Sequence, residues 1–244
     1  MPRPSAAARH PALVLAVIGF SSLSASLMQS LVIPIQPELP TMLGTAPANA
    51  AWVVTATLLA GGVAMPVAGR LADLRGRKPV LLGSAILLLI GSLICALGDS
   101  LAPVLIGRTL QGLAMGYIPV AISLAREIMP PHLRNAAISG ISATLGVGGA
   151  LGLPIAAWIV QSADWHALFW LASALAVVMT LGTALVLPRT PATSSGRLDV
   201  LGALGMAAGV VALLVGVSKG GAWGWTSPAT LGAILGGLVV LLLW

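Results

Sequence analysis

Charge is scarce in this sequence. Only 7% of its 244 residues are Asp, Glu, Lys or Arg, whereas a soluble domain covers its surface with about a quarter. The lone cysteine, Cys95, sits inside an apolar run, which rules out a disulfide framework and leaves the redox compartment open. The histidines His10, His132 and His166 stand apart in the terminus and in loops, so no cluster has metal-ligand spacing. No glycine loop of the phosphate-cradling kind opens a helix. These absences argue against an enzyme and imply neither metal nor cofactor. What fills the space is apolar: 58% of residues are hydrophobic and the mean hydropathy is +1.03, so most of the chain faces lipid.

Apolar stretches of about membrane length follow one another with short gaps. They run over residues 12–33, 50–68, 79–98, 101–125, 136–160, 167–187, 200–218 and 228–244, eight in all. Unbroken runs predict helices, because a membrane barrel shows short alternating segments. The first run, following Arg3 and Arg9, also has the look of a cleavable signal peptide. Against that, apolar character resumes in LMQSLVIPI, and Ser22, Ser26, Gln29 and Ser30 recur at helical spacing. A polar stripe of this kind suits a helix that lines a hydrated cavity.

The net charge of +6 suggests nucleic acid at first sight, but the cations carry no interleaved aromatics and fall in short clusters between apolar runs. They are a topology signal. Arg3, Arg9, Arg70, Arg75, Arg77, Lys78, Arg126, Arg134, Arg189 and Arg197 occupy alternate connections, and Glu38, Asp99, Asp164 and Lys219 the others. The positive-inside rule then predicts a multi-pass cell-membrane protein with a cytoplasmic N-terminus. Asp164 and His166 are expected to cap and anchor the sixth helix beside Trp165, with Trp223 and Trp225 at the same interface.

Arg108 belongs to neither set. It lies about seven residues into the fourth run, roughly 10 Å from its outer end at 1.5 Å per residue. A charge there needs water, an anion, a partner side chain or a reach to the headgroups. Gln111 adds an amide at i+3 on roughly the same face. In the fifth run Gly140, Thr144, Gly148, Gly152 and Ala156 recur every four residues and form a small face for close helix approach, with Pro154 expected to bend the helix. GRLADLRGRKPVL, from Gly69 to Leu81, reads as a tight basic loop. Gly69 and Gly76 supply close approach and a turn, and Asp73 accepts hydrogen bonds.

That loop resembles the signature of the major facilitator superfamily, Gly-x-Leu-Ala-Asp-x-x-Gly-Arg-Lys, in Gly69, Asp73, Gly76, Arg77 and Lys78, with Leu74 where a basic residue is usual. The resemblance implies that Asp73 locks the cytoplasmic side by meeting a helix end in the other half of a transporter, with Arg77 in the same network. Arg108, Gln111 and Gly112 resemble the fourth-helix motif implicated in proton coupling. PPHLRNAAISG looks like the turn into the fifth helix. Gly148, Gly152 and Pro154 resemble the antiporter motif of efflux members, although Leu153 separates Gly152 from Pro154 and Ala156 and Ala157 replace the following glycines. The resemblance also implies an aspartate, usual in branches of similar length, where Ser24 stands.

The expected fold class is therefore an all-α membrane protein: a six-helix N-terminal half over residues 1–187, a linker over 188–199, and two further helices over 200–244, the last truncated. This resembles the start of the fourteen-helix drug/proton antiporter branch, with a C-terminal half missing. The implied function is proton-coupled efflux of an amphipathic or cationic small molecule. Its cavity is lined by Ser26, Gln29, Gln111 and Tyr117, and Arg108 tunes protonation. No acidic residue lies inside any run, so the proton acceptor stays open. Proton-coupled uptake, or a non-transporting assembly or sensor subunit if the natural chain ends at Trp244, are the competing expectations.

Overall fold

The computed structural model describes residues 11–194 and 199–243; Arg3, Arg9, His10, Arg197 and Trp244 lie outside them. The long helices are α1 (Pro11–Ser30), α2 (Trp52–Arg75), α3 (Arg77–Leu97), α4 (Leu101–Ile128), α5 (Arg134–Ser162), α6 (His166–Val186), α7 (Val200–Trp223) and α8 (Pro228–Leu243). No strand occurs among the described residues. Among the described residues seven helices are long and apolar enough to cross a bilayer, and the chain is an all-α multi-pass membrane protein. The eighth expected span is shorter: α8 has 16 described residues, roughly 24 Å of helix.

Two breaks differ from the expected loops. GRLADLR is the last part of α2, so the presumed loop from Gly69 to Leu81 shrinks to Gly76 alone. Gly76 has φ +85°, a conformation costly for any residue with a Cβ, and it turns the chain straight into α3. Gly69 makes no close approach, since an added Cβ there meets nothing within 4 Å. The second break is inside α4, where Ala114–Gly116 tightens to a 3-10 turn between two α-helical stretches.

Packing follows small residues. In lipid no hydrophobic force draws helices together, so contact depends on how closely backbones can approach. A Cβ on Gly148 would strike the Leu23 carbonyl of α1, and one on Gly152 the hydroxyl of Ser30. Gly91 and Gly107 similarly bring α3 against α4, and Gly112 brings α4 against Thr57 and Ala60 of α2. Helix α6 lies against α3 and α1, while the α7–α8 hairpin packs on α2 through Val210 beside Gly62.

The acidic end is fastened locally. Asp164 accepts from the backbone N–H of His166, the first residue of α6, at 2.9 Å and also meets its ring. Those bonds hold the Asp164 carboxyl below the usual carboxylate range. The His166 ring reaches the Gly98 carbonyl at 3.3 Å and stacks on Trp165.

If glycine sets the α1–α5 distance, Gly148→Val should destabilise the bundle by about 1–3 kcal/mol through overpacking. Gly140→Ala, where nothing lies within 4 Å, should be neutral or slightly stabilising. Thermal unfolding in detergent reads both. Equal melting temperatures for the two variants would refute the packing role.

Candidate functional site

The site grows out of α4. Arg108 is 3% exposed and lines a cavity of about 470 Å³. Ser26, Gln29 and Ser30 of α1, Thr57 of α2 and Gly149 of α5 share that wall with apolar Ile33, Val54, Leu58 and Leu153. The polar stripe of α1 thus faces the cavity except at Ser22, which is wholly buried.

A relay fixes the guanidinium. Arg108 Nη1 donates to Gln111 Oε1 at 2.7 Å, the i+3 pairing expected from the sequence. Gln111 Nε2 donates to Ser92 Oγ of α3 at 2.9 Å, and Ser92 donates to the Leu88 carbonyl at 2.7 Å. Arg108 Nε donates weakly to the Val53 carbonyl of α2 at 3.4 Å. The Thr57 hydroxyl lies 3.1 Å from the carbonyls of both Val53 and Arg108. Gly112 brings the two helix backbones close enough for these bonds. Among the described residues Arg108 has no ion pair, so a desolvated cation is held by neutral acceptors only.

Gln111 and Tyr117 stand off the cavity wall. Gln111 is buried behind Arg108, between α4 and α3. Tyr117 is fully buried, its hydroxyl 3.1 Å from Thr183 Oγ1 of α6. Ser24 is buried with no hydrogen-bond partner among the described residues.

On α5 the glycines divide their work. Gly148 and Gly152 pack on α1, whereas Gly149 and Leu153 line the cavity. Ser26 Oγ donates to the Leu145 carbonyl at 2.6 Å, across the contact that the glycines open. Pro154 lies within the continuous helix α5.

At the basic end, the turn at Gly76 is clasped by the segment that follows α6. The backbone N–H groups of Thr193 and Ser194 donate to the Asp73 carbonyl at 2.9 and 3.0 Å, and the Thr193 hydroxyl donates to Asp73 Oδ1 at 3.2 Å. The Arg77 N–H donates to Thr190 Oγ1 at 3.1 Å, and a Cβ on Gly76 would run into the Thr190 carbonyl. Arg77 also pairs with Glu127 and donates from Nε to Ser123 Oγ at 2.9 Å, both on α4. Lys78 Nζ donates to the Ala184 carbonyl of α6 at 2.7 Å. Sequence reading found Arg108 and the basic cluster and missed their partners. Thr57, Ser92, Thr190, Thr193 and Glu127 belong to other segments, and only tertiary packing brings them in.

Comparison with known proteins gives the same assignment. The chain is 32% identical over 231 residues to an uncharacterized MFS-type transporter of Mycobacterium tuberculosis, covering 94% of this chain and 34% of that protein. It is 30% identical over 183 residues to the multidrug transporter protein MdtP of Bacillus subtilis, covering 74% and 34%. With the putative multidrug resistance protein MdtD of Escherichia coli it shares 27% over 229 residues, covering 93% and 48%. The chain therefore spans about a third to a half of the length of these relatives. Among solved structures, the human organic anion transporter MFSD10 (TETRAN) superposes with a TM-score of 0.67 at 17% identity, over 93% of this chain and 70% of that one. The POT family transporter PepTSo does so with 0.69 at 15%, over 97% and 52%; both likenesses concern the fold alone. The Major Facilitator Superfamily profile matches residues 18–201, and the chain belongs to that family.

Proposed function

We propose that this chain is the N-terminal part of a proton-coupled exporter of amphipathic, drug-like small molecules, acting by transport and not by catalysis. One observation carries the reading. A buried arginine held by an amide relay forms part of the wall of a mostly apolar cavity, where a change of charge or hydration is felt strongly in low dielectric. The names of MdtP and MdtD, multidrug transporter and putative multidrug resistance protein, favour a drug-like substrate.

In this reading residues 1–187 form one transporter half, 188–199 a linker, and 200–244 an additional helix pair. The arginine-rich end faces the cytoplasm, together with the N-terminus. The substrate site lies near the midplane between this half and a C-terminal half. Asp73, Gly76, Arg77 and Lys78 form the cytoplasmic gate, and Gly148, Gly152 and Pro154 the antiporter-like helix. The acidic residues of the described spans, Asp73 and Glu127, lie at their basic ends and are engaged by Thr193 and Arg77, so in this reading the proton-accepting carboxylate belongs to the C-terminal half.

In the full-length polypeptide reconstituted in proteoliposomes, Arg108→Ala should reduce pH-driven flux roughly tenfold or more with insertion intact. Unchanged flux would remove Arg108 from coupling. For the gate, Asp73→Cys with Thr193→Cys in a Cys95→Ser background should be bridged by a short, reducible thiol cross-linker. Bridging should stop flux, and reduction should restore it. Full flux in the bridged protein would mean that this turn does not move during transport.

A further inference from the structure

We infer that the cavity beside Arg108 takes the anionic group of an amphipathic organic acid. The inference deepens the reading of this cavity as a substrate site and rests on it.

The first argument is the charge inventory. Arg108 is the cavity's one charged lining residue among those described. Glu38, Asp99 and Asp164 lie toward one end of the bundle, and Asp73, Glu127 and Asp199 toward the other. Glu127 pairs with Arg77, and Asp73 and Asp164 accept bonds from the Thr193 hydroxyl and from His166. A cationic ligand would therefore meet a like charge in a low-dielectric wall, with no carboxylate of this chain beside it.

The second argument is the donor count. A guanidinium carries five N–H donors in a fixed fork. In the described structure Arg108 uses one on Nη1, for Gln111, and weakly the one on Nε, for Val53. The other three have no protein acceptor there, although the residue is 3% exposed. Arg108 lines the cavity and its free donors open on it, where a carboxylate or sulfonate can accept two of them side by side. The relay through Gln111 to Ser92 holds the fork before any ligand arrives, so little ordering is needed on binding.

The hydroxyls complete the pattern. Ser26, Ser30 and Thr57 all donate to backbone carbonyls, so toward the cavity they present lone pairs. That leaves Arg108 and the Gln29 amide as the wall's donors for an anion. The serine and threonine oxygens can accept from hydroxyl or amide groups elsewhere on the same molecule. Ile33, Leu58 and Leu153 offer hydrocarbon to its body, and a volume of about 470 Å³ lies in the range of small-molecule sites.

The test uses the purified full-length protein in detergent at one fixed pH, without a gradient. Three matched probes are titrated by equilibrium dialysis: naphthoate, naphthamide and naphthylmethylammonium. Naphthoate should bind roughly tenfold or more tighter than the other two. Arg108→Gln should erase that preference, and Arg108→Lys should keep part of it. If Arg108→Gln does not fold, Gln111→Glu supplies an internal counter-ion at nearly constant shape. It should weaken naphthoate roughly tenfold while leaving naphthamide unchanged. The inference is overturned if the ammonium probe binds as well as naphthoate, or if the preference survives both variants. It is equally overturned if a folded protein binds none of the three, as expected were a carboxylate from the rest of the polypeptide to occupy the fork. Absence of pH-driven flux would defeat proton coupling and leave this binding result standing, so the two failures are distinguishable.

Discussion

A guanidinium buried in a membrane bundle without a carboxylate sets the terms for its neighbours. Its protein acceptors lie at hydrogen-bond distance on its own helix and on a neighbour that has to be brought within that distance. Arg108 draws on Gln111 of its own helix, whose amide is anchored on Ser92 of α3, and reaches toward the Val53 carbonyl of α2. Gly91, Gly107 and Gly112 sit at the crossings of these helices, where a Cβ would meet backbone. The small residues of α3 and α4 are therefore the geometric condition for the polar relay as well as packing features.

The two ends of the bundle are fastened by different kinds of contact. At the acidic end Asp164 accepts from His166, whose ring reaches the nearby Gly98 carbonyl, which ties two short connections together. At the basic end the turn at Gly76 is held by residues more than a hundred positions later, Thr190 and Thr193, and by Glu127 of α4. Separation of the segment after α6 from this turn must therefore break the bonds to Asp73, so the two form a closed unit that opens only at that contact. The charged motif supplies only half of this unit.

Hydropathy made the spans legible because lipid imposes one requirement on every residue of a helix face. The i+3 pairing of Arg108 with Gln111 and the polar stripe of α1 were legible for the same periodic reason. Tyr117 shows where that logic fails: the 3-10 turn at Ala114–Gly116 lies between it and Arg108 and alters the pitch, and its hydroxyl meets Thr183 of α6. The length of the basic loop was misjudged because charge does not stop a helix; the positive φ of Gly76 does. Thr190 and Thr193 left no signal at all, since a hydroxyl's partner across 113 or 120 residues is set by packing and not by local pattern.

The run of glycines in α5 shows why a packing face and a functional face need not be alternatives. Gly148 and Gly152 admit α1 so closely that the Ser26 hydroxyl reaches the Leu145 carbonyl. Gly149, one residue and about 100° further round the helix, opens on the cavity. The close contact fixes where Ser26, Gln29 and Ser30 stand, and therefore the shape of the wall opposite Arg108. A larger side chain at Gly148 would press on the Leu23 carbonyl and on Ser26, displacing α1 and with it the polar groups of Ser26, Gln29 and Ser30. Close packing in this helix pair is thus upstream of recognition, and a substitution there acts on the site through distance.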